Sequence, residues 1–430
     1  MRGMAQTISE KQFIDLLQPG RRVYVQGGCT QPVALVEAIK NHPDCADGVT
    51  FISMVNRLNP NNFTALHPGA EQETFFMSGL LRKGYDPKRL HILPFHLSEI
   101  YRYVSEVADI DIACVQVAPP DNRGRCSFAM VGDYVPAVAK RARMVVAQVN
   151  PALPVCAGAP TIDADDIDYF VGAENDILIW TSRPPKDELA ALGNNVASLI
   201  RDGDTIQMGV GTASDAVLAA LTNHRDLGIH TGLVPDNLVD MVEAGAISGA
   251  KKSIDKGRII TGSAMGTERL YDFIAHSDIV DFKPVSYTHD VLVLSQIDNF
   301  RVVNSAVEVD LFCQVNCEYM DGQQIAGIGG QLDFVRGAKR AKDGVSILAL
   351  QASTAKGEVS RIVSRIPQNA LVSVPRSDAD FIVTEYGVAD LRCASVQERA
   401  QRLIAIAAPR FRDSLSNDWD AVCRTATGKT

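Results

Sequence analysis

Two glycine-rich stretches hold the residues of this chain best suited to receiving negative charge. In Gly209-Val210-Gly211-Thr212-Ala213-Ser214, a strand-like run passes into a loop that opens a helix, an arrangement that turns backbone N–H groups toward an anion or a developing oxyanion. The loop lacks the third glycine of a dinucleotide fingerprint, and no acidic residue follows where a ribose would need one. A tight strand-to-helix turn without a ligand accounts for it equally well. The stretch Gly327-Ile328-Gly329-Gly330-Gln331-Leu332-Asp333-Phe334 is more demanding, because three glycines in four residues permit positive φ and let a ligand approach bare backbone. Beyond it, Arg336, Lys339, Arg340, Lys342, Lys356, Arg361 and Arg365 stand against only Asp343 and Glu358, a local balance of +5 in a chain of formal charge −9. That run reads either as a partner for a phosphate-bearing ligand or as a solvated basic face.

In the first half, Thr30, Gln31, Asn56 and Arg57 fall at the ends of strand-like runs. Arg57 offers a bidentate partner to a substrate carboxylate; a surface salt bridge is the competing role. The eight histidines and nine cysteines show no zinc-ligand spacing, so no metal site is expected. His230 has no acidic partner at a triad-like spacing and reads as a residue packed at a strand end. Glu308 and Asp310 alternate with Val307 and Val309 as the wet face of one strand.

The elements that must position these residues are announced by an internal echo. Residues 16–38, LLQPGRRVYVQGGCTQPVALVEA, match residues 199–221, LIRDGDTIQMGVGTASDAVLAAL, without gaps at an offset of 183. Each copy reads as helix end, glycine turn, short strand, glycine loop and amphipathic helix. Gly20 and Gly203 stop the first helix, Gly28 and Gly211 close the loop, and Pro32 and Ser214-Asp215 suit a helix start. So large an offset means duplicated domains, not a solenoid. Short apolar runs at 49–54, 110–117, 144–149, 177–180, 258–261, 291–295, 346–350 and 381–383 alternate with helical stretches, which predicts open α/β sheets with largely parallel pairing. Residues 288–315 look more β-rich and predict an antiparallel portion. The paired prolines of 181–187, TSRPPKD, place the division between a domain of residues 1–185 and a domain of residues 186–430.

At 430 residues, the chain exceeds one ordinary domain. Its 46% hydrophobic and 22% charged composition is that of a globular protein, and the acidic balance argues against a dedicated nucleic-acid binder or a membrane-surface protein. The odd, scattered cysteines suit a reducing compartment. No apolar leader opens the chain, and the run at 144–157 is broken by Asn150, Pro151 and Pro154. A cytoplasmic location is expected.

The stretches GVGTASDAVLAAL (from Gly209), LGIHTGLVPDNLVDMVEAGAI (from Leu227), NSAVEVDLFCQVN (from Asn304), GIGGQLDFVRGA (from Gly327), STAKGEVSRIV (from Ser353) and VTEYGVADLR (from Val383) resemble the acetyl-CoA hydrolase/transferase family, nearly end to end and in order. The resemblance implies two pseudo-equivalent open α/β domains of the class I CoA-transferase type. It also implies CoA held mainly by the second half and a homo-oligomer. The implied chemistry moves CoA from an acyl-CoA such as succinyl-CoA or acetyl-CoA to a small carboxylate of the itaconate, 4-hydroxybutyrate or butyrate type. An enzyme carboxylate does this through anhydride and thioester intermediates, with no cofactor besides the CoA thioester. By the same resemblance, Gly209, Val210, Gly211, Thr212, Gly329, Gly330 and Lys356 serve the oxyanion and CoA; the strand-end residues Gln31, Asn56 and Arg57 of the first half are read as lining the acyl pocket. The family's nucleophilic glutamate stands two residues after the histidine of the strand-end motif, where this chain has Gly232. Glycine forms no anhydride. Asp236 is the nearest alternative carboxylate in sequence, though an Asp there also suits a helix cap. Acyl-CoA hydrolysis by water in the vacated space, and acyl-CoA binding without turnover, are the other readings.

Overall fold

The computed structural model describes residues 6–56, 58–181, 189–209, 211–354 and 356–426. The chain forms two compact units. The first comprises Met1–Thr181, Gly232–Asp236 and Ile259–Thr288, and the second comprises Ser182–Thr231, Asn237–Arg258 and His289–Thr430. Two segments from the later sequence thus belong to the first unit. The expected division at residue 185 lies outside the described residues.

The first unit is built on eight strands: β1 (Gln6–Thr7), β2 (Arg22–Val25), β3 (Thr50–Ser53), β4 (Glu71–Thr74), β5 (Leu90–Ile92), β6 (Ile112–Val117), β7 (Met144–Val149) and β8 (Tyr169–Gly172). Their order is β1-β8-β7-β6-β2-β3-β4-β5, and every pairing is parallel. A parallel sheet needs helices over both faces, so its central strands are apolar on both sides. All six residues of β6 are buried accordingly. Tyr24, Ile52, Ala113 and Val115 face one core, while Val23, Val25, Ile112, Cys114 and Val146 face the other.

The second unit carries β9 (Thr205–Met208), β10 (Gly228–His230), β11 (Phe300–Ser305), β12 (Val345–Ala349), β13 (Phe381–Thr384) and β14 (Gly387–Asp390). They run β10-β9-β11-β12-β13-β14, parallel except for the last pair. The sequence echo is structural: β2 and β9 are offset by the same 183 residues, and each lies between two parallel neighbours. The glycines before them, Gly20 at φ +84° and Gly203 at φ +87°, take the same left-handed conformation. The expected antiparallel portion is present where Glu308–Asp310 pairs with Val315–Asn316.

Two expected strands do not form. Residues 177–180 make separate backbone contacts, Leu178 N to Cys29 O and Trp180 N to Gly266 O, and join no sheet. Residues 291–295 were expected to extend because Val-Leu-Val-Leu is aliphatic and partly β-branched. Asp290 instead accepts hydrogen bonds from Leu292 N and Val293 N, and this cap starts the short helix Val291–Leu294.

Asp204, immediately before β9, accepts from Arg301 Nε on β11 at 2.8 Å, and both side chains are almost wholly buried. Asp204 Oδ2 also takes the Arg201 N–H, fixing the turn into β9. Replacing Asp204 by Ala strands a buried guanidinium and should lower unfolding free energy by about 3–5 kcal/mol. The double variant D204A/R301M should recover most of that loss in urea denaturation.

Candidate functional site

In the second unit, the helix that follows β9 and the helix that precedes β12 both begin on glycine. Gly211, at φ +122°, is the N-cap of Thr212–Ala220, and Gly330 is the N-cap of Gln331–Arg340; neither helix has a side-chain cap. A helix leaves its first N–H groups without intrahelical partners, and a Ser, Thr, Asp or Asn cap ordinarily takes one. Two uncapped starts therefore offer backbone donors, with the positive end of the helix dipole behind them. Gly209 N donates to Val303 O at 3.1 Å, and Asn304 Nδ2 donates to Gln207 Oε1 at 3.1 Å, so β9 and β11 are fixed to each other where the loop leaves the sheet.

Gly330 is required by its neighbour. A Cβ at this position would lie 2.3 Å from His289 Nε2 and 2.4 Å from its Cδ2. The His289 ring packs on Phe334 with centroids 4.4 Å apart, and burial pushes its pKa down to about 3. The imidazole is therefore neutral at physiological pH. Gly329, at φ +62°, supplies the left-handed turn into the helix. Phe334 in turn meets Phe300 edge-on, and Phe300 meets His230. His230 is fully buried at the end of β10, as the strand-end reading expects. Thr231 Oγ1 donates to Met208 O at 3.1 Å.

Lys252 had no signal in the sequence, yet it is 1% exposed and donates to Ile229 O and Arg258 O. A Cβ on Gly228 would meet its stem at 2.4 Å. The lysine thereby ties down the strand that leads to His230.

Lys356 is exposed. Part of the basic run is committed to structure: Arg336 and Lys339 approach Asp378 at 3.5 and 4.0 Å, and the Arg365 guanidinium lies 3.8 Å from the Phe312 ring centre. The compensating aspartate lies 36 residues beyond Lys342, outside the sequence window that gave +5. Val210 and the side chain of Thr212 lie outside the described residues.

In the first unit, Gly232 O accepts from Gly262 N at 3.2 Å and Ser263 N at 3.1 Å. Asp236 Oδ1 accepts from both Thr267 N and Thr267 Oγ1 at 2.8 Å, which places it as a clamp on the start of Glu268–His276. A Cβ on Gly266 would meet that carboxylate at 2.6 Å. Gln31 Oε1 accepts from Asn61 Nδ2 at 2.6 Å, and Asn56 Oδ1 accepts from Leu58 N and Asn59 N. Asn59, which sequence reasoning missed, holds the Gly28 peptide from both sides: its Oδ1 accepts from Gly28 N at 2.6 Å and its Nδ2 donates to Gly28 O at 3.1 Å. Arg57 lies outside the described residues. Among the described residues, no group of three or more His, Cys, Asp or Glu is placed to hold a metal ion, and no helix is long and apolar enough to cross a membrane.

Gly330→Ala should destabilise the protein by about 1–3 kcal/mol through overpacking against His289, and pairing it with His289→Ala should relieve the loss in thermal denaturation. His289 also sets a pH dependence. The unfolded chain protonates it near 6.5 and the folded one only near 3, so its stabilisation is complete above 6.5 and is lost as pH falls toward 3. The stability difference between wild type and His289→Phe should shrink across that window in urea melts.

Two family models match the chain, the acetyl-CoA hydrolase/transferase N-terminal domain over residues 4–179 and the C-terminal domain over residues 266–419. The chain is 36% identical over 417 residues to 4-hydroxybutyrate coenzyme A transferase of Clostridium kluyveri, covering 96% of each. The crystal structure of RipA from Yersinia pestis superposes with a TM-score of 0.90 at 29% identity, covering 97% of both chains. That of 4-hydroxybutyrate CoA-transferase from Porphyromonas gingivalis gives 0.81 at 31% identity, again over 97% of both. Likeness at this identity and over this much of the chain, carried on the same two-part α/β architecture, makes the protein a member of the acetyl-CoA hydrolase/transferase family.

Proposed function

We propose that the protein is a CoA-transferase, moving CoA from an acyl-CoA such as succinyl-CoA or acetyl-CoA to a small carboxylate of the itaconate, 4-hydroxybutyrate or butyrate type. The observation that carries this reading is the pair of glycine-started, uncapped helices in the second unit. Thioester attack generates an oxyanion, and preorganised backbone donors stabilise that charge without reorganising as it develops. Gly209, Gly211, Gly329 and Gly330 provide approach to bare backbone, and Lys356 is an exposed cation for a CoA phosphate. No metal or redox group has a step to perform, and the CoA thioester is the substrate.

In the first unit, Gln31 and Asn56 are engaged with Asn61 and Asn59, so their contribution to an acyl pocket is to hold the loops around Gly28 rather than to bind acid directly. The sequence reading of Arg57 as a partner for a second carboxylate favours a dicarboxylate acceptor. A cytoplasmic, homo-oligomeric enzyme fits this reading.

Acyl-CoA hydrolysis is the second reading, because position 232, to which the family resemblance assigns the nucleophilic glutamate, is glycine. Incubation with succinyl-CoA and a labelled acid separates the two. Transfer gives labelled acyl-CoA with no net thiol release, whereas hydrolysis releases thiol at a rate indifferent to the acid. Arg57→Ala should slow transfer to itaconate at least about tenfold more than transfer to butyrate, the size of a charge-assisted contact; equal losses would remove the dicarboxylate preference.

A further inference from the structure

The first unit contains a carboxyl group in a setting that none of the residues discussed above shares. Asp133 lines a cleft of about 610 Å³, together with Tyr101, Ser105, Lys140, Arg141 and Phe282. One carboxylate oxygen, Oδ1, accepts from the backbone N–H groups of Tyr134 and Val135. Among the described residues, the other oxygen, Oδ2, makes no hydrogen bond, and the residue lines the cleft. The backbone that carries it is pinned on both sides: Val285 N donates to Asp133 O at 3.0 Å, and Gly132 N donates to Gly262 O at 2.8 Å. Burial lifts the carboxyl pKa to about 6, outweighing the two N–H contacts that pull it down. The neighbouring Tyr134 phenol is held protonated by burial and then by this carboxylate.

The same segment adjoins Gly232 through a single residue without a side chain. A Cβ on Gly262 would lie 2.8 Å from Gly232 O and 3.6 Å from Asp133 Cβ. Gly262 is thus adjacent both to the peptide of Gly232 and to the Asp133 side chain.

We propose that Asp133 is the enzyme carboxylate that carries CoA in the transfer reaction, a role that rests on the CoA-transferase reading above. Its free Oδ2 adds to the thioester carbonyl of the donor, and loss of CoA thiolate leaves an aspartyl–acyl anhydride. The thiolate then attacks the aspartyl carbonyl, giving an Asp133–CoA thioester and expelling the donor acid as its carboxylate. The acceptor carboxylate attacks that thioester, expelling CoA thiolate and forming a second anhydride. Thiolate attack on its acyl carbonyl yields the new acyl-CoA and restores the Asp133 carboxylate. Each step breaks one acyl bond and forms another, with no net proton or electron change. Lys140 and Arg141 give incoming anions a cationic wall in the same cleft.

Borohydride reduces an enzyme–CoA thioester to a primary alcohol, so peptide mass spectrometry of full-length protein trapped after incubation with succinyl-CoA locates the carboxylate. The expected result is reduction at Asp133 and at no other acid. Asp133→Asn should lose transfer by about 10³-fold or more, the scale for removing a covalent nucleophile, with CoA-ester binding retained by calorimetry to show that the variant is folded. Label on another acid, transfer without any label, or near-wild-type transfer by Asp133→Asn each overturns the assignment while leaving CoA transfer intact. A wild-type protein that exchanges no CoA overturns the transferase reading and this assignment with it.

Discussion

The steric fit between Gly330 and the His289 ring is the constraint on which the glycine start of the helix Gln331–Arg340 depends. No residue with a side chain can stand 2.3 Å from an imidazole nitrogen, so the helix Gln331–Arg340 must begin on glycine. Glycine at that position also means that no side-chain oxygen takes up the first N–H groups of the helix. One packing relation thereby leaves backbone donors available and sets a rigid aromatic support, His289 on Phe334 and Phe334 on Phe300, under them. Because burial keeps His289 neutral, that support adds shape without adding a charge.

The two units solve the same problem with different side chains. Both place a glycine loop after a central parallel strand, at Gly28 and at Gly211. The second unit backs its loop with Asn304 and Gln207. The first backs it with a lattice of buried carboxamides: Gln26 Oε1 accepts from Gln116 N, Gln148 Nε2 donates to Gln116 Oε1, and Gln148 Oε1 accepts from Ala34 N at the start of the next helix. These amides hold geometry through the bonds they make, although Gln116 Nε2 is buried without a partner among the described residues, and they bring no fixed charge to the strand ends. The backbone path is alike in the two units while the supporting side chains differ.

The sequence made the architecture legible because periodicity and glycine placement are local. An offset of 183 residues located β2 and β9 together, and the run at 144–149 matches β7 residue for residue. It failed where a single capping residue outweighed composition, as Asp290 does for the helix Val291–Leu294. The glycines of the candidate site were legible for the same local reason. Their partners were not. His289 lies 41 residues before Gly330, Asn59 lies 31 after Gly28, and Lys252 lies 23 after Ile229, and no periodicity links such pairs. Charge counting along the chain misled for a related reason, since Asp378 balances Arg336 and Lys339 across a turn of the fold.

Charge placement bears on how a carboxylate can be a nucleophile here at all. A cation in direct contact would hold a carboxylate ionised but would also stabilise its charge and blunt its attack. Asp133 has no such contact. Its ionised form is held by two backbone N–H groups on one oxygen, while burial works against ionisation and raises the pKa to about 6. The group is thus ionised near neutral pH yet poorly stabilised as an anion, the condition in which forming a neutral acyl bond is most favourable. If Asp133 carries the CoA, burial rather than a neighbouring cation is what favours its acylation.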